Sequence, residues 1–530
     1  MTDASSEAKQ AGRGVIFIAF AKIYFIIAGA VIEFSLPSIL SSVVFGAYKV
    51  VVSAVSPLNN VLITGTIQAV SRYTAQKPEL SRAIQRSGFR MQLYVGVPIA
   101  VAFIALAPVF SRVLQDADKT GPMMLAGAIV LGYAFYAVFV GTANGRKEFH
   151  KQAGLDITMA TMRAIGIVGL ASAGFGVYGA IGGWVAATGV ILVIASFVVG
   201  RPRRADAAQA PPLKPMTSFF VGVAVYLILL NLIMVVDTYL LKALSTGWFI
   251  RHQSEIHAAL ATYQPSWAVS IVEQVAPPAL ADSQVGYYAA VQNLARLSYQ
   301  AIIAATFVIF PLVSRTTFAD DRDATHRYIR TTNRYSLIFA AAIGTVLAAN
   351  PQAILDIPYK ADYAFYGAPA LIALALGSVG FAIFAIAGTI LNGAGLTRPA
   401  IILAAVTLGL AAVANAVAIP RFAPGRELLL ACGAATGGAM VLGAGLGGYL
   451  LRRYLGAFVP LLSVVRVAVA AAAGIAIGHI LQFASPVMTL VEAGVVGIVF
   501  LVVLVLTREL GRADLSAVTG LAGRSKGTAK

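Results

Sequence analysis

The sequence predicts an all-α integral membrane protein with about fourteen transmembrane helices. Three observations indicate this fold class. The 530 residues are 59% hydrophobic and only 12% charged, whereas a soluble domain carries about 25% charged residues. Apolar runs of about 20 residues, the length that crosses a bilayer as a helix, recur along the chain. Lysines and arginines concentrate in every second loop between these runs.

Fourteen apolar runs are long enough to span a membrane. They cover 14–36, 46–70, 91–111, 122–144, 154–175, 178–200, 217–241, 286–313, 333–350, 366–392, 399–420, 427–451, 460–482 and 488–507. The border within 154–200 depends only on Gly174-Phe175-Gly176. The first run resembles a signal peptide, but Lys22 interrupts it and it continues past the small residues at 28–30. We therefore expect an uncleaved first span.

The distribution of positive charge predicts the topology. One side of the membrane holds the N-terminus, the loops at 72–90, 146–151, 201–214 and 315–334, Arg398, Arg452-Arg453 and the tail from Arg508. Few lysines or arginines are left for the other side. This positive-inside pattern predicts a multi-pass membrane protein with both termini in the cytoplasm. The net charge of +17 then needs no nucleic-acid partner.

Two stretches of the chain repeat at a shift of about 240 residues. The second run begins with Gly46-x-Tyr48 and ends at Ser71-Arg72, and the eighth begins with Gly286-x-Tyr288 and ends at Ser314-Arg315. The stretches at 141–145 and 388–393 also match. Each half has six helices, so the repeat is parallel, and a substrate site is expected at its interface.

The repeat predicts five segments. They are an N-terminal lobe (1–200), a basic cytoplasmic linker (201–216), a C-terminal lobe (217–451) with a periplasmic insertion (242–284), helices thirteen and fourteen (452–507) and a cytoplasmic tail (508–530). The insertion contains Trp248, Arg251, His252, His257 and Trp267. We expect it to form an interfacial helix or cap, or alternatively to contact a sugar or a partner.

The chain resembles the multidrug, oligosaccharidyl-lipid and polysaccharide exporter superfamily, and within it the polysaccharide-unit flippases that are related to lipid II flippases. The resemblance rests on residues 44–48, 64–73, 236–241, 285–288 and 392–395. It implies two parallel six-helix lobes around a central cavity plus two C-terminal helices that line a groove for a polyprenyl tail. It also implies a secondary transporter that works by alternating access.

Three cations fall near the middle of predicted spans, namely Lys22, Arg163 and Arg296, with no acid at comparable depth. Because a charge within the bilayer is costly, we expect a water-filled cavity that binds an anion such as a diphosphate, which suits arginine. Lys49 and Arg466, near the interfaces, complete the predicted substrate site. Pairing with Glu33 or Asp237, or snorkelling to the surface, is the alternative for these cations.

The coupling ion is expected to be Na⁺ or H⁺, with no other cofactor. The resemblance implies an acid in the seventh helix and polar groups in the eleventh and twelfth, which Asp237, Asn415 and Thr436 match. Hard cations prefer such oxygen ligands. Asp237 and Glu33 could instead balance nearby positive charge. The single cysteine, Cys432, allows neither an intramolecular disulfide nor a cysteine-based metal site.

The resemblance predicts a flippase, not an enzyme, that moves a polyprenyl-diphosphate-linked oligosaccharide to the periplasmic leaflet for cell-surface polysaccharide synthesis. Expected partners are that lipid, membrane lipids and polysaccharide polymerase or export machinery. A cation-coupled multidrug exporter and a membrane glycan polymerase or ligase remain as alternatives. The exporter should have an acidic or aromatic cavity, and the polymerase should lack the two-half repeat.

Overall fold

The computed structural model describes residues 2–202, 213–255, 276–300, 321–481 and 485–511. These residues form seventeen α-helices, as follows: α1 (Thr2–Ile39), α2 (Ser42–Gln76), α3 (Ser81–Tyr94), α4 (Gly96–Val113), α5 (Thr120–Gly145), α6 (Phe149–Leu170), α7 (Gly176–Val198), α8 (Leu213–Ile233), α9 (Val236–Arg251), α10 (Pro277–Ala295), α11 (Arg322–Ala349), α12 (Pro351–Asp356), α13 (Ala361–Gly393), α14 (Thr397–Ala418), α15 (Arg426–Leu455), α16 (Leu461–Leu481) and α17 (Pro486–Leu506). The predicted all-α membrane fold is confirmed, and each of the fourteen spans overlaps at least one helix.

The uncertain border between the fifth and sixth spans is a genuine reversal of the chain. Gly174 and Gly176 adopt φ angles of 89° and 54°, a region that glycine enters without the steric cost of a Cβ atom. The reversal makes α6 and α7 an antiparallel pair. Their backbones touch at Gly166 and Gly183, where a Cβ on either residue would overlap the other's carbonyl oxygen.

Eleven stretches within the described residues are long and apolar enough to cross a membrane, against fourteen spans expected from sequence. Three differences account for this. The α6–α7 pair counts as one stretch, 149–198. The eighth span continues beyond residue 300, outside the described residues. The ninth span corresponds to α11. The first half of this helix contains Arg322, Arg327, Arg330 and Arg334, so α11 is too polar to be counted among the apolar stretches.

The predicted periplasmic insertion is partly helical. The seventh span breaks at Met234-Val235, and α9 then continues through Lys242 to Arg251. The eighth begins early, at Pro277. Both ends of the segment 242–284 are therefore extensions of membrane helices. His257 and Trp267 lie outside the described residues, as do most of the linker, Ser314-Arg315 and most of the C-terminal tail.

The described helices form two compact units, residues 1–289 and 290–530. In the first unit, α2 packs against α5 and α8, and α6 packs against α1 and α7. In the second unit, α13 packs along α15, and α16 and α17 pack on each other and on α11. Apolar side chains of α11, α16 and α17, including Ile338, Val467 and Phe500, share one core.

Candidate functional site

Lys22 on α1 has an acidic partner that the sequence analysis did not assign. Its amine lies 3.2 Å from the Asp156 carboxylate of α6. The expectation that no acid lies at comparable depth is therefore wrong for this residue. Asp156 stood two residues into its predicted span, but α6 begins at Phe149, so the carboxylate lies about two turns inside the helix. The lysine side chain remains 51% exposed.

Lys49 on α2 is paired with Glu33 on α1. The amine lies 2.5 Å from the carboxylate, and the lysine side chain is 8% exposed. The amine also lies 5.5 Å from the centre of the Phe45 ring. Glu33 therefore neutralises Lys49, although the sequence predicts it as an alternative partner for the deeper cations. The two lysines of the first unit that are predicted to bind substrate thus each have their own carboxylate.

Aromatic rings surround Arg163 on α6. Its guanidinium lies 4.6 Å from the Trp184 ring and 5.7 Å from the Phe25 ring. The Trp184 indole donates a hydrogen bond of 3.1 Å to the Tyr133 hydroxyl, which fixes the ring against α5. Cation–π attraction of this kind is worth about 2 kcal/mol or more when desolvated. It gives Arg163 a reason to lie within the membrane.

Asp237, the candidate coupling residue, lies in the first turn of α9 and is 1% exposed. Its carboxylate accepts a hydrogen bond of 2.8 Å from the Tyr288 hydroxyl of α10 and another of 2.8 Å from the backbone amide of Thr238. Tyr288 belongs to the Gly-x-Tyr motif at 286–288. The motif that marks the repeat therefore also tethers α10 to α9.

Four buried charges form a closed group that the sequence analysis missed. We name Asp116, Lys119, Lys242 and Asp282 the charge quartet. Each lysine amine contacts both carboxylates, at 2.7 or 2.8 Å, and every member's side chain is at most 7% exposed. The signal available in sequence was the Asp116–Lys119 spacing of three residues.

In the second unit, Arg296 and Arg466 occupy different surroundings. Arg296 follows the last residue of α10, and its guanidinium lies 3.5 Å from the Gln292 side-chain oxygen. Arg466 on α16 contacts the Glu509 carboxylate at 3.2 Å, and Arg334 on α11 contacts the same carboxylate at 2.8 Å. Glu509 therefore ties α11 and α16 to the chain that leaves α17.

Asn415 on α14 and Thr436 on α15, the two polar residues that match the family pattern, lie together. The Asn415 amide donates a hydrogen bond of 2.9 Å to the Thr436 hydroxyl, and both side chains are fully buried. The Asn415 side-chain oxygen accepts no hydrogen bond from the described residues. An oxygen of this kind could bind a small cation, although within the described ranges no three His, Cys, Asp or Glu side chains cluster as metal ligands.

The buried lysines described in the first unit are thus mostly paired with carboxylates, so this part of the protein is not purely cationic. The Lys22 amine has three N–H donors and stays half-exposed beside Asp156, so it can still accept an anionic ligand. The Lys49 side chain is buried, and the Glu33 carboxylate beside it is partly exposed. A phosphate that reached these lysines would compete with carboxylates for the same N–H donors.

Comparisons with known proteins agree with this architecture. Residues 36–249 match the family described as polysaccharide biosynthesis protein. The structure of the lipid II flippase MurJ in an inward closed conformation superposes with a TM-score of 0.67 and 12% identity, covering 94% of this chain and 99% of that one. Curated protein sequences give no match.

Two multidrug transporter structures are also similar. An inward-facing MATE family transporter of the MOP superfamily has a TM-score of 0.57 and 14% identity over 81% of this chain and 94% of that one. A single-residue mutant of the Vibrio cholerae MATE transporter VcmN has a TM-score of 0.53 and 15% identity, covering 86% and 99% of the two chains. These proteins are a flippase and transporters by their own descriptions. The chain is a multi-pass membrane protein with the fold shared by MurJ and the MATE transporters, and residues 36–249 match the polysaccharide biosynthesis protein family.

Proposed function

We propose that this protein is a flippase that moves a polyprenyl-diphosphate-linked oligosaccharide from the cytoplasmic to the periplasmic leaflet of a bacterial inner membrane. The observation that carries the proposal is the match of residues 36–249 to the polysaccharide biosynthesis protein family. That stretch includes Lys49, Arg163 and Asp237. A lipid II flippase with the same fold supports a lipid-linked headgroup as the substrate class.

The half-exposed Lys22 amine is the best-placed first contact for a diphosphate within the first unit. Charge-assisted hydrogen bonds to phosphate oxygens are about twice as strong as neutral ones. Because the Asp156 carboxylate already holds this amine, the headgroup exchanges one anionic partner for another. Because one of the two anions is always beside the amine, the lysine can lie within the membrane even when no substrate is bound.

The pair formed by α16 and α17 supports a lipid-linked substrate. One surface of the pair packs on α11, and the remaining surface exposes large apolar side chains, including Leu462, Val465, Leu490 and Leu501. The polyprenyl tail stays in the apolar phase along this surface while the headgroup crosses. Na⁺ or H⁺ coupling belongs to the same proposal, with Asp237 and the Asn415–Thr436 pair as the candidate residues.

Native mass spectrometry of lipid that co-purifies in mild detergent tests the substrate class. We expect a polyprenyl diphosphate glycan bound to the wild-type protein and much less of it on a Lys22→Ala, Arg296→Ala double variant. Lys151→Ala is the matched control, because this lysine pairs with Glu148 three residues away on a predicted cytoplasmic loop. Full retention of the lipid by the double variant would contradict the cationic site.

A multidrug exporter is the second candidate, and one observation favours it. Asp156 and Glu33 give the first unit carboxylates that could hold a cationic drug, and MATE transporters share the fold. Efflux of a cationic dye from cells that overproduce the protein separates the two functions. Dye efflux that is lost in Asp156→Asn, with no bound diphosphate lipid, would favour the exporter.

A further inference from the structure

The charge quartet lies at an interface between two parts of the first unit, and we call this interface the seam. The first side is the turn between α4 and α5, with Asp116 and Lys119. The second side is formed by α9 and α10, with Lys242 and Asp282. Each side contains its own ion pair, Asp116–Lys119 at 2.7 Å and Lys242–Asp282 at 2.8 Å. Two further ion pairs, Lys119–Asp282 and Lys242–Asp116, cross the seam at 2.7 and 2.8 Å.

This arrangement lets the two sides separate without isolating a charge. If the seam opens, the two crossing pairs break, but every member keeps the partner on its own side. Both sides are electrically neutral. The attraction between buried ions roughly offsets the cost of removing them from water, so rehydrating two neutral pairs costs little. Removing a single member has the opposite effect, because it leaves an uncompensated charge in the closed seam.

Two glycines close the same seam next to the quartet. A Cβ atom on Gly46 of α2 would overlap the backbone carbonyl of Asp282, and one on Gly286 of α10 would overlap the carbonyl of Ser42. The backbones of α2 and α10 are therefore in direct contact at Asp282 and again one turn later, at Gly286. Small residues allow such close approach between membrane helices. The closed seam is thus sealed by backbone packing as well as by charge.

The seam follows the boundary between the two sequence repeats. Its first side, with α2 and the α4–α5 turn, belongs to the first six predicted spans, and α9 and α10 belong to the seventh and eighth. The positive-inside pattern predicts the periplasmic side for this end of the helices.

We propose that the charge quartet is a reversible latch on the periplasmic side, which closes the exit between the two repeats and splits into two neutral pairs when the exit opens. The proposal rests on the transport function proposed above. It assigns Lys242 and Asp282, at the two ends of the segment predicted as an insertion, a role in closing the exit. The glycine contact fixes how far the closed seam can approach.

Gly247 of α9 provides a reporter position in the seam. It is buried, and a Cβ atom there would meet the side chain of Gln115, on the first side, at 3.4 Å, an ordinary contact. A Gly247→Cys, Cys432→Ala variant therefore has one thiol, facing the seam. Its rate of reaction with a membrane-impermeant maleimide, added to intact cells from outside, measures how often the exit is open.

The charge variants are compared in that background. Lys242→Met leaves the quartet with a net charge of −1, and Asp282→Asn leaves it with +1. We expect either variant to raise the labelling rate about tenfold or more, because a buried ion without its partner strongly destabilises the closed seam. The Lys242→Met, Asp282→Asn double variant keeps the neutral Asp116–Lys119 pair. We expect its labelling rate to return to within about threefold of the parent.

Three outcomes would overturn the latch. The first is an unchanged labelling rate in both single variants. The second is a double variant that is labelled as fast as the single variants. The third is labelling that occurs only from the cytoplasmic side. If one single variant does not accumulate in the membrane, the other tests the same imbalance with the opposite sign. Labelling requires no lipid substrate, so a failed substrate assay beside charge-dependent labelling would reject the substrate and leave the latch standing.

Discussion

The Lys49 amine lies 2.5 Å from the Glu33 carboxylate, joining α1 to α2 by an ion pair in a protein whose net charge is +17. Glu33→Gln leaves the buried lysine without its acid. We expect a loss of about 1–3 kcal/mol, less than for a fully buried pair because Glu33 is partly exposed. Thermal unfolding in detergent measures the loss. The Glu33→Gln, Lys49→Met double variant should recover most of it, and a double variant as unstable as Glu33→Gln would contradict the pairing.

The close contact between α2 and α10 predicts that replacing a glycine by alanine lowers stability at this contact but not at a glycine elsewhere that has open space beside it. Gly46→Ala places a methyl group against the carbonyl of Asp282 and should lower the melting temperature or prevent accumulation in the membrane. Gly182→Ala is the matched control, since nothing lies within 4 Å of its added methyl group on α7. Alanine favours a helix over glycine by about 1 kcal/mol, so Gly182→Ala should be neutral or stabilising. Equal tolerance of both changes would exclude the tight crossing.

If a diphosphate replaces the Asp156 carboxylate at the Lys22 amine, removing that carboxylate should strengthen the binding of the diphosphate lipid. Asp156→Asn removes the carboxylate that holds the amine, so a diphosphate lipid should bind several-fold more tightly, whereas Lys22→Ala should weaken its binding. Titration of purified protein with the lipid, followed by native mass spectrometry, gives both affinities. Tyr24→Phe is a control at the same helix contact, because it removes only the hydrogen bond to Thr161. Weaker binding by Asp156→Asn would contradict the exchange.

Glu509 makes the attachment of the C-terminal helices sensitive to acid. Burial alone would raise the pKa of this carboxyl, but hydrogen bonds from Arg334, Ser463 and Arg466 hold its pKa below the ordinary value. A lowered pKa in the folded state contributes stability above the unfolded-state pKa, and this stability is lost as the pH falls through the lowered value.

We therefore expect the melting temperature in detergent to fall as the pH decreases below about 4.3, the ordinary value for a glutamate. Glu509→Gln should be less stable than the wild type at pH 7, with a smaller further decrease in acid. Glu427→Gln, in the first turn of α15, is the control. A pH profile of Glu509→Gln that parallels the wild type would show that another group is responsible.

The helices were largely predictable because the bilayer imposes one length on every span. Even the weak border at Gly174-Phe175-Gly176 corresponds to a reversal with two glycines of positive φ. Helix ends were less predictable. Polar first turns such as Phe149–Asp156 continue a helix beyond its apolar part, and this shift hid the partner of Lys22.

The charge quartet could not be derived from the sequence because its members come from three separate segments. In sequence, Lys119 and Lys242 look like ordinary loop cations, and Asp116 and Asp282 like solvated loop acids. Only the packing of α9 and α10 against the α4–α5 turn brings them together. The predicted site residues of the two units were found in part for the same reason. The predicted spans give the depth of each cation in the membrane, but they do not show which side chains lie beside it.

The neutrality of each side of the quartet also determines how the membrane potential acts on it. Moving one elementary charge through 100 mV takes about 2.3 kcal/mol of electrical work. Asp116 with Lys119, and Lys242 with Asp282, carry no net charge, so their separation moves no net charge through the field. The proposed latch therefore adds no voltage dependence of its own, and any voltage dependence of transport has to arise from other charges that move, such as the headgroup or the coupling ion.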